Sequence, residues 1–349
     1  MLDFKETELD KIVVHSVGNK TQEEDLFLSN ANLVLDEDLM DVLKSYFLKP
    51  FKENGLYEFT HESGLQFNEV YSFCKEIFQD PEKLHFQSIN LAKHLYETSL
   101  HPNIKGGEFY IAYFTDCQIR GEYADAIGIF KSENKDTFLK VYQKYSDVIV
   151  ESQQGININK LDKGCLVFDS DEENGYRVCI VDATNKASDT ARYWMHDYLQ
   201  LKPKEDQFYH TENYMQLCKG FVKDVFNDDF DVPKTDQLRM LEKSMEYFNT
   251  HEVFDKNEFK EEVITDNGLF DAFEDYKANF TKRNDVHIYE EFDISSAAVK
   301  SQKKFFKSIL KLDKKFHVYV HGGHDYMEEG YDEDRKMKFI KLFYNKEEE

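Results

Sequence analysis

Residues 108–119 read EFYIAYFTDCQI, and no other stretch constrains the fold as tightly. Aromatic and β-branched side chains favour an extended backbone, and the run contains neither glycine nor proline. Arg120-Gly121-Glu122 supplies a turn, and 125–133 (DAIGIFKSE) continues as a second strand. Residues 11–17 read as an earlier strand, and 164–168 and 176–181 form a hairpin across the acidic turn 169–175. Short connections between successive strands imply antiparallel pairing, since parallel neighbours need a long crossover. Helical spacing appears through Leu39, Val42, Leu43 and Tyr46 within 37–46, and through Val70, Phe73, Cys74 and Ile77 within 68–78. Asp80-Pro81 opens a further helix through Ile89, Ala92, Leu95 and Tyr96. The expected fold class is α+β: an N-terminal mixed domain, 1–189, with an antiparallel meander and helices on one face.

The remainder, 190–349, reads as a helical region closed by a β-hairpin. Its helical patterns cover 190–199, which holds the single tryptophan Trp194, then 213–226, 236–248, 268–280 and 296–307, with Ser295 as N-cap of the last. Two strand-like runs, 317–320 and 337–344, are expected to pair across a loop rich in glycine and acid. A domain boundary is expected between 185 and 205, where the pattern changes from strand-rich to helix-rich. At 349 residues the chain has the length for two ordinary domains, and 41% hydrophobic residues are enough to give each a core.

Charge divides the chain differently. There are 44 Lys+Arg against 68 Asp+Glu, a formal net charge of -24, and both halves are acidic. Such a chain repels nucleic acid and membrane surfaces at long range. Yet Lys300, Lys303, Lys304, Lys307, Lys311, Lys314 and Lys315 fall within sixteen residues that contain one acid, Asp313. On a helix over 296–307, the first four recur at i, i+3, i+4 and i+7 and form one stripe. Phe305, Phe306 and Ile309 face the other way. A solvated helix face is the plain reading of such a run. Phosphate contact is the functional one, because salt screens distant acids while local lysines still displace counterions. Arg335, Lys336, Lys338 and Lys341 are expected to extend the basic surface from the partner strand.

Two other groupings bear on chemistry. Lys131 and Glu133 share a strand face, with Asp125 further along it. Carboxylates beside a lysine on a strand are the ingredients of metal-dependent nucleases, although the usual order places the lysine after the acid. The alternative is an outward-facing, salt-bridged strand end. His317 and His321 share a strand face, and His324 and Asp325 follow a glycine turn, a set that tetrahedral metal binding would need and that surface histidines also produce. No phosphate-binding loop, dinucleotide fingerprint, nucleophile elbow or H-E-x-x-H motif occurs. Cys74, Cys117, Cys165, Cys179 and Cys218 are odd in number and form no C-x-x-C, so they read as small buried hydrophobes in a reducing compartment. The first residues show no secretory pattern and no run approaches a membrane span, so a soluble cytoplasmic product is expected.

Several short segments carry a resemblance. These are 15–20 (HSVGNK), 92–96 (AKHLY), 104–108 (IKGGE), 125–133 (DAIGIFKSE) and 309–313 (ILKLD). In this order they resemble the bacterial nucleoid-associated protein family of the NdpA/YejK type. The residues that carry the likeness most directly are His15, Lys105, Gly106, Gly128, Phe130, Lys131, Ser132 and Glu133. The resemblance implies a cytoplasmic protein that accompanies the nucleoid and binds DNA, and it brings no catalytic residues, metal or cofactor. Joined to the charge pattern, it predicts a non-catalytic nucleoid-associated protein. DNA contact would be weak and independent of sequence, through the lysine-rich face, and protein contact would use the acidic surface. The alternatives are a pure protein-interaction module acting on DNA-handling enzymes and a metal-dependent nuclease.

Overall fold

The computed structural model describes residues 2–52, 55–183, 193–225, 234–303, 308–312, 315–320 and 326–346. The chain is α+β and divides into two units, Met1–Lys204 and Glu205–Glu349.

The first unit holds strands β1 (Leu2–Asp3), β2 (Glu8–Val17), β3 (Leu26–Phe27), β4 (Tyr57–Phe59), β5 (Gly107–Ile119) and β6 (Glu122–Ser132). Beyond these come β7 (Asp136–Lys144), β8 (Asp147–Gly155), β9 (Lys163–Phe168), β10 (Arg177–Asp182) and β11 (Leu201–Pro203). Nine of them form one sheet, in the order β11-β4-β10-β9-β6-β5-β2-β3, with β1 pairing β5 off that path. All of these pairings are antiparallel. The aromatic run supplies β5, and Ile119 pairs with Glu122 across a two-residue turn in which Arg120 (φ 53°) and Gly121 (φ 89°) are both left-handed. That geometry matches the twist of the flanking strands, and it explains the glycine.

The described helices of this unit are α1 (Glu37–Leu48), α2 (Glu69–Gln79) and α3 (Leu84–Thr98), and Asp80, read as the cap of the third, caps a short 3-10 turn, Pro81–Lys83, that precedes it. Asp36 accepts from the Leu39 N–H, and Asn68 from the Tyr71 N–H. Helices on one face were the expectation, and here the structure differs. Phe109, Ile111 and Tyr113 pack with α2, α3 and a π-helical turn, Tyr193–Tyr198. Tyr110, Ala112 and Phe114 pack with Tyr46, Phe47 and Leu48 of α1. Every residue from 109 to 114 is therefore buried, as a strand covered on both sides requires.

The first unit runs on to Lys204, within the expected window 185–205. Tyr193, Trp194, Tyr198, Leu199 and Leu201 are all buried in its core, and β11 pairs with β4. The sheet thus captures the chain as far as Lys204, whose ammonium bonds Glu58 and Asp171 at 2.8 and 2.6 Å.

The second unit contains α4 (Gln207–Asp224), α5 (Lys234–Thr250), β12 (Val253–Asp255), α6 (Lys256–Glu262), α7 (Asn267–Asn284), β13 (Glu291–Asp293) and α8 (Ser296–Gln302). Its core is aromatic: Tyr214 lies 4.1 Å from Phe254 ring to ring, with Phe221, Phe248, Phe259, Phe273 and Phe292 around them. The closing region is two hairpins, where the sequence pattern implied one. β14 (Ser308–Leu312) pairs with β15 (Phe316–Val320), and β16 (Met327–Asp332) pairs with β17 (Met337–Leu342). The acidic segment MEEGYD, read as loop, is the partner that 337–342 needs.

A chain ending at Lys204 should unfold cooperatively, whereas one ending at 189 loses five buried side chains. Loss of a single buried Trp costs about 3–5 kcal/mol. The shorter fragment should therefore be destabilised by more than about 5 kcal/mol or fail to fold. Denaturant titrations of the two fragments by circular dichroism check this, and equal midpoints would contradict the boundary.

Candidate functional site

Of the residues that carry the family resemblance, His15, Gly128, Phe130, Lys131 and Ser132 are buried, Gly106 and Glu133 are half-buried, and Lys105 is exposed, its ammonium donating to Asn134 at 2.7 Å. Lys131 follows Phe130 near the end of β6, where strand alternation turns its side chain toward Glu133. Lys131 is completely buried, and the Glu133 side chain is 6% exposed. Their Nζ and Oε1 atoms are 3.2 Å apart. Lys131 Nζ also donates to the Lys105 carbonyl at 2.6 Å and lies 3.2 Å from the Tyr193 hydroxyl, which donates to Glu133 at 2.8 Å. On the neighbouring strand β9, Lys163 is equally buried and donates to both oxygens of Asp182 at 3.0 Å. The two ammonium groups lie 5.5 and 5.4 Å from the centre of the Tyr193 ring, within cation–π range.

Electrostatics follow from burial. Desolvation holds the Lys131 pKa below its ordinary value, and the Glu133 carboxylate acts against that shift. Desolvation, followed by the Glu133 charge, drives the Tyr193 phenol well above its usual range. The outward-facing strand end expected for this segment is thus a buried charge cluster. Such a cluster survives only when each group is paired, since an unpaired buried charge is very costly.

The other motif residues surround it in supporting roles. Asp162 accepts the backbone N–H groups of Glu133 and Asn134 at 2.7 and 2.9 Å and fixes the turn after β6. The Ser132 hydroxyl meets the Tyr46 hydroxyl at 2.8 Å and ties the strand to α1. Phe130 stacks on Phe47 with ring centres 4.2 Å apart, and a Cβ at Gly128 would lie 2.3 Å from the Phe130 ring, so only glycine leaves room for it. A Cβ on Gly106 would lie 2.6 Å from a Glu24 oxygen. His15 is buried. The Ser29 N–H donates to its Nδ1 at 3.1 Å, which leaves the ring proton on Nε2, facing the Ser88 hydroxyl at 2.9 Å. Burial lowers its pKa to about 4, so the ring is a neutral structural link. Beside the cluster a cleft of about 870 Å³ opens, lined by Gly18, Glu24, Lys105, Gly106, Glu108 and Glu133 among others.

Asp125 does not join this group. It accepts a hydrogen bond from the Tyr113 hydroxyl at 2.7 Å, and its distance from Lys131 along β6 is about 20 Å at ~3.3 Å per residue. The Asp–Lys–Glu grouping that a nuclease would need is therefore not assembled. The five cysteines are buried and free, as their spacing predicts, and burial raises the thiol pKa values of Cys117 and Cys179 to about 12. The sequence reading missed another group. His251 Nε2, after α5, lies 3.8 and 3.6 Å from Glu258 and Glu262, one turn apart on α6. Their ligand atoms fall within 4.8 Å of one another, a donor set that suits a divalent metal and equally an ion pair of protonated His251. The i, i+4 glutamates were the available signal.

The C-terminal lysines belong to the second unit. Lys300 lies on α8 and Lys303 caps it, and both are exposed, as is Lys315 in the β14–β15 turn. Lys311 lies on β14 opposite His317. Lys304, Lys307 and Lys314 fall outside the described residues, as do His321, His324 and Asp325. The described helix ends at Gln302, so Lys300 and Lys303 are the described members of the expected stripe. Arg335, Lys336, Lys338 and Lys341 belong to the β16–β17 hairpin, and Lys341 is paired with Glu328 at 3.2 Å.

The buried cluster makes a prediction about stability. Glu133→Gln leaves Lys131 without its counter-charge and should cost about 3–5 kcal/mol. Adding Lys131→Met removes the orphaned charge and should restore most of that loss. Urea titrations of the single and double variants measure the coupling, and simple additivity would show that the two groups do not act as a pair.

The model of the family described as nucleoid-associated protein YejK matches residues 13–337. A comparison with curated proteins finds no match. The matched span takes in the buried cluster, the residues that support it and the C-terminal lysines, and the chain belongs to the nucleoid-associated protein YejK family.

Proposed function

We propose that this chain is a non-catalytic nucleoid-associated protein. It contacts DNA weakly and without sequence preference through the segment of Lys300, Lys303, Lys304, Lys307, Lys311, Lys314 and Lys315, and it engages proteins through its acidic surface. The observation that carries this reading is the state of the described lysines. Lys300, Lys303 and Lys315 are exposed, and the salt bridges among the described residues do not include them. By contrast, Lys131, Lys163, Lys204 and Lys256 are each held by carboxylates. In a chain of net charge -24, exposed lysines close together in sequence give phosphate a local attraction that the acidic surface opposes. Family membership supports a place at the nucleoid, and no helix among the described residues is long and apolar enough to cross a membrane.

The net charge also favours a second reading, a pure protein-interaction module whose acids meet the basic faces of DNA-handling enzymes. A metal-dependent nuclease is the weakest of the three, because Asp125 is remote from Lys131 and Glu133.

A duplex-binding titration across salt concentrations separates the first two readings. Three to five phosphate contacts give a log–log slope of about -3 to -5, with Kd on the order of micromolar. Changing Lys300, Lys303, Lys304 and Lys307 together to Gln should weaken binding and flatten the slope while leaving the fold intact, since exposed lysines contribute little to stability. An unaltered slope would move the contact elsewhere. An absence of binding by the wild-type chain even at ~50 mM salt would favour the protein-partner reading.

A further inference from the structure

Between β6 and β9 the chain leaves the main sheet as the hairpin β7–β8. Its ladder runs from Asp136↔Gly155 to Lys144↔Asp147, and it pairs with no other strand among the described residues. Isolated two-stranded hairpins are marginal in water, and long uncovered strands with apolar faces invite pairing. The side chains sort by the strand period of two. One face carries Phe138, Lys140, Tyr142 and Lys144 beside Asp147, Ile149 and Glu151, and there the Tyr142 hydroxyl donates to Glu151 at 2.6 Å. The other face carries Thr137, Leu139, Val141 and Gln143 beside Val148, Val150, Ser152 and Gln154. It bears no charge.

On that uncharged face Leu139, Val141, Val148 and Val150 are 68%, 61%, 70% and 58% exposed. Val141 is directly opposite Val150, Leu139 opposite Ser152 and Gln143 opposite Val148, so the four apolar side chains are contiguous. Neutral polar residues bound them on both ends. A contiguous apolar patch of this kind marks a contact surface.

We propose that this face docks against the same face of a second copy of the chain, closing two hairpins into a four-stranded sandwich about a two-fold axis. Charge decides the occupant. A basic protein surface or a nucleic acid would need complementary charge on the patch, and there is none. Two copies of a chain with net charge -24 repel wherever acids meet, and this face lets them touch without bringing like charges together. The antiparallel pair with Val141 and Val150 at its centre also suits an isologous contact, in which each patch meets its own image. The charged face, with Lys140, Tyr142 and Glu151, then stays in water.

The test uses the full chain. Sedimentation over a concentration series up to about 100 µM should show association to twice the mass of one chain. Leu139→Glu with Val150→Glu should weaken it about 100-fold or more, because each buried interface would hold unpaired acids. Lys140→Gln, on the opposite face, should leave it unchanged. A second measurement guards against a variant hairpin that merely unfolds. The native cysteines are all buried, so Val141→Cys near the axis should give a disulfide-linked dimer on mild oxidation, and Tyr142→Cys should not. A wild-type chain that stays monomeric throughout overturns the proposal. So does a dimer indifferent to the paired glutamates, or one in which Val141→Cys fails to cross-link.

Discussion

Two lysines without water at the end of a sheet set the terms for the first unit. Lys131 and Lys163 are both fully buried on neighbouring strands. Taking an ammonium group out of water costs several kcal/mol unless its partners are close and well aimed. Glu133, Asp182, the Lys105 carbonyl and Tyr193 supply those partners. They come from the end of β6, the end of β10, the segment before β5 and the π-helical turn. The need to satisfy two charges therefore fixes where four separated stretches of chain meet. The capture of Tyr193 also brings Trp194 and Tyr198 into the core and carries the first unit on to Lys204.

This arrangement gives the family motif a physical meaning. Gly128 makes room for Phe130, Ser132 ties β6 to α1, His15 links β2 to Ser29 and Ser88, and Lys131 and Glu133 form the buried pair. These are packing and hydrogen-bonding duties, and they account for the residue types without invoking a reaction. The cleft beside them is lined partly by the same segments. The proposed DNA contact rests on lysines of the second unit, of which Lys300, Lys303 and Lys315 are exposed.

The α+β class was legible in the sequence because strand and helix periods alternate clearly, and the cap at Ser295 falls where the residue type implies. Phe109 to Phe114 also announced a strand, but its lack of polar alternation was the sign of burial on both faces, and the one-sided reading ignored it. Other features were hidden for physical reasons. A lysine in a strand reads as exposed, since buried lysines are rare and depend on partners distant in sequence. Glu133 is a near neighbour of Lys131, but Tyr193 lies 62 positions away. The hairpin β7–β8 was missed because its alternation carries Lys, Gln and Glu and so resembles a polar connection, and MEEGYD was read as loop for the same reason. Glu258 and Glu262 mark no site by their spacing alone in the sequence, because His251 comes beside them only through the turn after α5.

The central claim is that the Lys131–Glu133–Tyr193 cluster is scaffold and that any action on DNA is binding at the surface. Incubating the full chain with supercoiled plasmid and Mg²⁺ or Mn²⁺, at low and high salt, reads retardation and nicking on one gel. The account predicts retardation that fades with salt, is indifferent to the metal and leaves the plasmid intact. Metal-dependent nicking that Glu133→Gln abolishes would contradict it.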